Sequence, residues 1–254
     1  MIQVIKRAFE ILSFIAESPE EPKGLGEIAK ALGLNPGTCA NIIKTLCEYN
    51  LLEQVERKKG YILGPAVYYL ARNGPYRKDI VKVIEPYLLD LASDLKETVL
   101  IATLHQGKRS ILLQIDGNRA ITINKNFLLQ ESIYNTATGR LLLANLPYSE
   151  LSAIIEKYGL PDKKVWPEAT TKKKLISSLS EIKRKGMAIY SRREDVIGIA
   201  FPVRQEGKVI AALGLFLPLF RFKGKHKEEI LKKMKDTSER ISDVLTKRRV
   251  EKWI

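Results

Sequence analysis

Gly33-Leu34-Asn35-Pro36-Gly37-Thr38-Cys39-Ala40-Asn41-Ile42-Ile43-Lys44-Thr45-Leu46-Cys47-Glu48-Tyr49 is the stretch whose reading decides the fold. Asn35 is placed to cap a helix, because its side chain can accept an orphan N–H of the first turn. Pro36 follows at the first helical position, where a missing N–H costs nothing. Cys39, Ile42, Ile43 and Leu46 recur at i, i+3, i+4 and i+7, which predicts one buried stripe. The opposite face carries Gly37, Thr38, Asn41, Lys44 and Thr45. These residues are small or hydrogen-bonding, and none is a carboxylate. Such a face can lie against phosphates and base edges, although any amphipathic surface helix also has a polar side.

The flanks narrow the choice. Upstream, Leu25–Leu32 reads as a short helix with Ile28, Ala29 and Leu32 inward. Gly33 follows it where a helix C-terminus favours glycine. A helix, a glycine turn and a capped helix make a helix-turn-helix. Downstream, Leu51–Glu56 and Tyr61–Gly64 read as two strands joined by the basic turn Arg57-Lys58-Lys59-Gly60, a wing. The expected partner is double-stranded DNA, contacted by Gly37, Thr38, Asn41, Lys44, Thr45, Arg57, Lys58 and Lys59.

The 254 residues suffice for one large domain or two ordinary ones, and 45% hydrophobic content supports a core. No run of 18 apolar residues occurs and the first helix is mixed, so neither a membrane span nor a signal peptide is expected. Eight helical residues separate Cys39 from Cys47 by about 12 Å, too far for a disulfide. A reduced, cytoplasmic setting fits. The net charge of +14 is unevenly spread: residues 1–74 hold nine Lys/Arg against eight Asp/Glu, net +1, and the remainder 34 against 21, net +13. The helix pattern is therefore better evidence for DNA than bulk charge.

Enzyme signatures are missing. The two histidines, His105 and His226, are far apart, no Cys/His spacing suits a metal, and neither G-x-S-x-G nor a P-loop occurs. Glu194 and Asp195 are adjacent, and neighbours on a strand face opposite ways. No catalytic residue, metal or cofactor is assigned. The runs Lys172–Lys174 and Lys183–Lys185 read as a solvated helix face.

Taken in order, residues 3–17 form a first helix with Ala8, Ile11, Leu12 and Ile15 on one face, and Ser18–Gly24 a loop. The first domain, a mostly α winged helix-turn-helix, spans 1–64. Residues 65–95 are expected to be a helical linker, with a short helix at Pro65–Arg72 and a longer one at Arg77–Leu95, interrupted or kinked near Pro86. At Thr98 the period changes. Strands are expected at Thr98–His105, Arg109–Asp116 and Ala120–Asn124, then helices at Thr138–Leu146, Ser149–Tyr158 and Lys172–Lys185. Strands return at Met187–Ser191, Ile197–Arg204 and Val209–Leu217, before a last helix at Lys225–Arg249. This is an α+β sensor arrangement over 96–254.

Three stretches, Arg7-Ala8-Phe9-Glu10-Ile11-Leu12, Gly60-Tyr61-Ile62-Leu63-Gly64 and Tyr134–Ala144, carry a likeness that covers nearly the whole chain: it resembles the IclR-type transcriptional regulators. Arg7-Ala8-Phe9-Glu10-Ile11-Leu12 is similar to that family's opening helix, and Gly60-Tyr61-Ile62-Leu63-Gly64 to the end of its wing. Tyr134–Ala144 is similar to its most distinctive run, usually Thr-Ala-x-Gly-Lys followed by an apolar helix. Ile199-Ala200-Phe201-Pro202-Val203 with Gly207 is a looser match. The resemblance implies a GAF-like effector domain with an antiparallel sheet, a homodimer or dimer of dimers, a palindromic operator, and a small-molecule effector with organic acids among the candidates. Repression is the commoner mode in the family. It implies effector contacts at Thr136, Ala137, Gly139, Gly198, Ala200, Gly214 and Phe216.

Departures qualify this. Asn41 stands where relatives commonly carry arginine, which shifts the expected preference from guanine or phosphate toward adenine. Gly198 stands in a cysteine position, and Gly214 and Phe216 where serines often occur, so a less polar pocket is expected. The turn at Thr136–Arg140 can hold an anion through its free N–H groups. Equally, Thr136 can simply cap the helix while Gly139 lets it approach the sheet. The near-neutral first domain also leaves open a metabolite sensor that acts through a protein partner without binding DNA.

Overall fold

The computed structural model describes residues 2–55, 59–72, 78–105, 107–117, 132–192 and 195–247. Contacts divide the chain into two units, Met1–Tyr76 and Arg77–Ile254.

In the first unit α1 (Gln3–Ala16), α2 (Leu25–Ala31) and α3 (Pro36–Glu48) surround one apolar core. Ile11 and Ile15 of α1, Ile28 and Ala29 of α2, and Cys39, Ile42, Ile43 and Leu46 of α3 are buried in it, as their spacing predicts. Ala8 and Leu12 pack against it half-buried. The turn after α2 requires its glycine. Gly33 sits at φ +61°, in the left-handed region, and lets the Leu34 N–H donate to the Ala29 carbonyl (2.9 Å) and its own N–H to the Lys30 carbonyl (3.4 Å). That paired closure satisfies carbonyls the helix end would leave open. The wing is the antiparallel pair β1 (Leu52–Gln54) and β2 (Tyr61–Leu63), with Leu52 opposite Leu63. The segment expected as a plain loop, Ser18–Gly24, adds a bridge: the N–H groups of Lys23 and Tyr61 each donate to the other's carbonyl. α4 (Pro65–Arg72) closes the unit.

The span expected as a linker, 65–95, is split by its packing. α5 (Lys78–Leu95) belongs to the second unit, where Ile80, Ile84, Leu88, Leu91, Ala92 and Leu95 are buried in the main core. It also runs unbroken through Pro86. Pro86 cannot bond the Lys82 carbonyl, but both residues are exposed, so water can take the freed group.

The second unit is built on a five-stranded antiparallel sheet in the order β4-β3-β7-β6-β5. Its strands are β3 (Thr98–His105), β4 (Lys108–Ile115), β5 (Ala188–Arg192), β6 (Val196–Gln205) and β7 (Lys208–Pro218). The strand expected at Ala120–Asn124 lies outside the described residues. The two faces differ in side-chain size. Val99, Ile101, Ile197, Ile199, Phe201, Val203, Leu213, Leu215 and Leu217 pack with α5 and with α9 (Gly224–Lys247). The other face carries Gly198, Ala200, Ala212 and Gly214 beside Leu100 and Phe216, and receives α6 (Ala137–Ala144). α7 (Tyr148–Tyr158) and α8 (Lys172–Lys185) pack outside α6 with Trp166 and Ala169. Strand alternation thus sorts bulky residues to one side and small ones to the side where a helix lies close.

β6 outruns β5, pairing with it only up to Ala200 while continuing along β7 to Gln205. Pro202, which lacks an N–H, occurs on that unpaired edge, the place in a sheet where proline is tolerated. Helix α9 covers the edge. Ser238 Oγ donates to the Pro202 carbonyl (2.9 Å), and the Arg204 N–H donates to Ser242 Oγ (2.9 Å).

Candidate DNA-reading face and candidate effector site

Helix α3 starts on its designed cap: the Gly37 N–H donates to Asn35 Oδ1 at 2.9 Å. That donor is therefore spent inside the helix. Gly37, Asn41, Lys44 and Thr45 are exposed and Thr38 is half-buried. Thr45 Oγ1 donates to the Asn41 backbone carbonyl (3.1 Å). Burial raises the pKa of both Cys39 and Cys47, so the thiols beneath this face stay protonated. In the wing, Lys59 is exposed; Arg57 and Lys58 lie outside the described residues.

In the second unit the seven positions expected at the effector site fall into two groups. Ala137, Gly198, Ala200, Gly214 and Phe216 meet where α6 rests on the sheet. They do so by packing. A Cβ on Gly214 would stand 2.6 Å from Thr138 Cγ2, and one on Gly198 would reach Ala137 Cβ at 3.6 Å. Gly214 is thus a seat for α6, where the sequence suggested a missing polar group. Thr136 and Gly139 form the turn into α6, with the cap and the close approach that the packing alternative describes. Thr136 Oγ1 accepts from the Gly139 N–H (3.0 Å), and a Cβ on Gly139 would overlap the Ile133 carbonyl oxygen. The Gly139 N–H is therefore not available to an anion.

Sequence reasoning passed over Arg140, the one charged residue of the helix Ala-Thr-Gly-Arg-Leu-Leu-Leu-Ala. It is buried. Its Nε donates to the Tyr134 carbonyl (2.8 Å) and its Nη2 to the Val165 carbonyl (2.9 Å). The guanidinium carbon lies 3.9 Å from the Trp166 ring centre and 4.5 Å from that of Tyr190, a cation held between two π faces. Burial pushes its pKa down to about 10, against the opposing pull of Tyr190 and Glu168, so it stays charged at neutral pH. A lone cation inside an apolar eight-residue helix was the available signal. Its ring partners come from distant segments and could not be read locally. Glu194, half of the acidic pair considered for chemistry, lies outside the described residues. Among the described residues no cluster of three His, Cys, Asp or Glu forms, and no helix is long and apolar enough to cross a membrane.

Together these features define a class: a helix-turn-helix transcriptional regulator whose DNA-reading unit is followed by an α+β domain with an antiparallel sheet. The family model described as "Bacterial transcriptional regulator IclR C-terminal" matches residues 76–243, and the "IclR helix-turn-helix domain" matches residues 4–56. The chain belongs to the IclR family. It is 33% identical over 187 residues to the HTH-type transcriptional regulator TtgV of Pseudomonas putida, covering 74% of this chain and 70% of that one. It is 27% identical over 220 residues to XynR of Escherichia coli, covering 85% and 86%. The fold matches the crystal structure of the Thermotoga maritima IclR (TM-score 0.66, 20% identity, 97% and 100% covered). It also matches an IclR homologue from Microbacterium hydrocarbonoxydans complexed with 4-hydroxybenzoate (TM-score 0.67, 21% identity, 97% and 100% covered). The named relatives are transcriptional regulators, a non-enzymatic family.

Proposed function

We propose that this regulator acts as a repressor, binding a palindromic operator as a homodimer or dimer of dimers and responding to a small organic acid held in its second unit. The observation that carries the DNA part is the α3 surface: the apolar stripe is buried while Asn41, Lys44 and Thr45 face outward. Asn41 would read bases. Lys44, with the wing residues Arg57, Lys58 and Lys59, would hold phosphates. Self-association is supported by apolar residues with no cover within the unit: Ile2, Val4, Ile5 and Phe9 on or beside α1 are all more than half exposed. Two-fold pairing would place two α3 helices on half-sites whole helical turns apart. Support for an organic acid is the 4-hydroxybenzoate named with the Microbacterium homologue. Support for repression is the likeness to the transcriptional repressor IclR of Escherichia coli, 20% identical over 161 residues.

Gel retardation with the protein's own promoter fragment tests this. Affinity should fall steeply between about 50 and 200 mM salt, because each neutralised phosphate releases counterions. The near-neutral charge of residues 1–74 favours a second reading, a sensor acting through a protein partner without DNA. Absence of any retarded species at the lower salt would select it.

A further inference from the structure

The second unit carries a charge that the sites above leave unused. Residues 75–254 hold 34 Lys/Arg against 21 Asp/Glu, net +13. Part of that excess converges in an open groove of about 440 Å³ between the end of α8, the overhanging part of β6 and α9. Among the described residues, Lys185, Arg204, Lys232 and Lys235 line it against one carboxylate, Glu239. All four cations are exposed. Lys185 pairs with Glu181 on its own helix (2.7 Å), whereas no carboxylate among the described residues stands within ion-pair distance of Arg204, Lys232 or Lys235. Met187, Phe201 and Leu231 form an apolar wall, and charges of one sign beside a low-dielectric wall reinforce each other's field. The buried hydroxyl at this groove, Ser238 Oγ, already donates to the Pro202 carbonyl. Three of the four cations are lysines, point charges on flexible stems. They suit a row of phosphates better than one ligand of fixed shape.

We propose that this groove is a second DNA contact, which holds the phosphate backbone of a duplex without regard to sequence. A duplex carries one negative charge per about 1.7 Å of its axis, so cations from three separate elements can each find a phosphate. Duplex DNA is also the polyanion that the α3 face of the same chain engages, and tethering raises its concentration at the groove. The inference rests on that DNA reading for the choice of polyanion. The chemistry of the two places differs. The α3 face offers an amide and hydroxyls that can read base edges; the groove offers charge, which positions without specifying.

Fluorescence anisotropy of the full chain with two duplexes of equal length, its promoter fragment and a scrambled sequence, tests this between about 50 and 200 mM salt. A groove variant combines Arg204→Gln, Lys232→Gln and Lys235→Gln. A control variant combines Lys163→Gln, Lys173→Gln and Lys174→Gln, exposed positions of the second unit that do not line the groove, and lowers the net charge equally. On both duplexes the groove variant should lose about tenfold or more at the lower salt, and its log–log salt slope should flatten by about two to three, since each lost phosphate contact removes about 0.9. Lys232→Gln and Lys235→Gln alone should each flatten it by about one, which keeps the test valid should the triple variant fold poorly. The control should bind as the unaltered chain does. Equal losses in the groove and control variants overturn the contact, because bulk attraction would then suffice. A groove variant that binds like the unaltered chain also overturns it, even where the promoter is preferred, and so does failure to bind either duplex. Loss confined to the groove variant, with promoter and scrambled DNA bound alike, upholds the groove and removes only the base reading by α3.

Discussion

Asn41 and Lys44 stand three residues apart on one exposed helix face, and their chemistry divides the work. An asparagine amide can bond adenine bidentately, whereas an ammonium is a point charge suited to phosphate. Asn41→Ala should cost about 1–3 kcal/mol on the preferred operator and little on random DNA. Lys44→Ala should weaken both alike and reduce the salt slope by about one. Competition gel shifts measure the split; equal losses on both DNAs for both variants would remove it. Gly139 behaves differently. Sequence alone predicts that Gly139→Val impairs ligand response more than folding. With the Ile133 carbonyl where a Cβ would go, overpacking should cost roughly 3 kcal/mol, seen as a lower Tm with no ligand present. An unchanged Tm would contradict the packing. The α3 residues were legible because their signals are local: cap, proline, stripe. Arg140 was not, because Trp166 and Tyr190 reach it only through the fold.

Among elements, α3 depends on its first turn. Asn35→Ala leaves the Gly37 N–H without its side-chain acceptor and should lower stability of the first unit by about 1 kcal/mol, read from denaturant midpoints, while Asn35→Ser should restore most of it. The strands and helices of the second unit were readable from their periods. What escaped was the role of α5. The sequence reading placed this helix in a linker, yet Ile80, Ile84, Leu88, Leu91 and Leu95 recur on one face and fill a core. The bulky–small alternation of Ile197–Val203 was likewise visible in sequence. It became meaningful only when α6 was found on the small side.

At the scale of the molecule, the two units have separate cores, so calorimetry should resolve two transitions. Ile84→Ala, at a fully buried site on α5, should lower the second unit's stability by about 3 kcal/mol. It should leave the first unit's transition where it was; joint movement of both would argue that the units melt together. The overhang of β6 past β5 matters for the molecule's life in a crowded solution. An open strand edge is a template for another chain, and repeated strand addition ends in insoluble fibres. Here that route is blunted twice, by a proline with no N–H to offer and by the α9 hydroxyls that already hold the Pro202 carbonyl and the Arg204 N–H. The terminal helix therefore doubles as a guard against polymerisation, and loosening it would expose a sticky border before it unfolded the sheet.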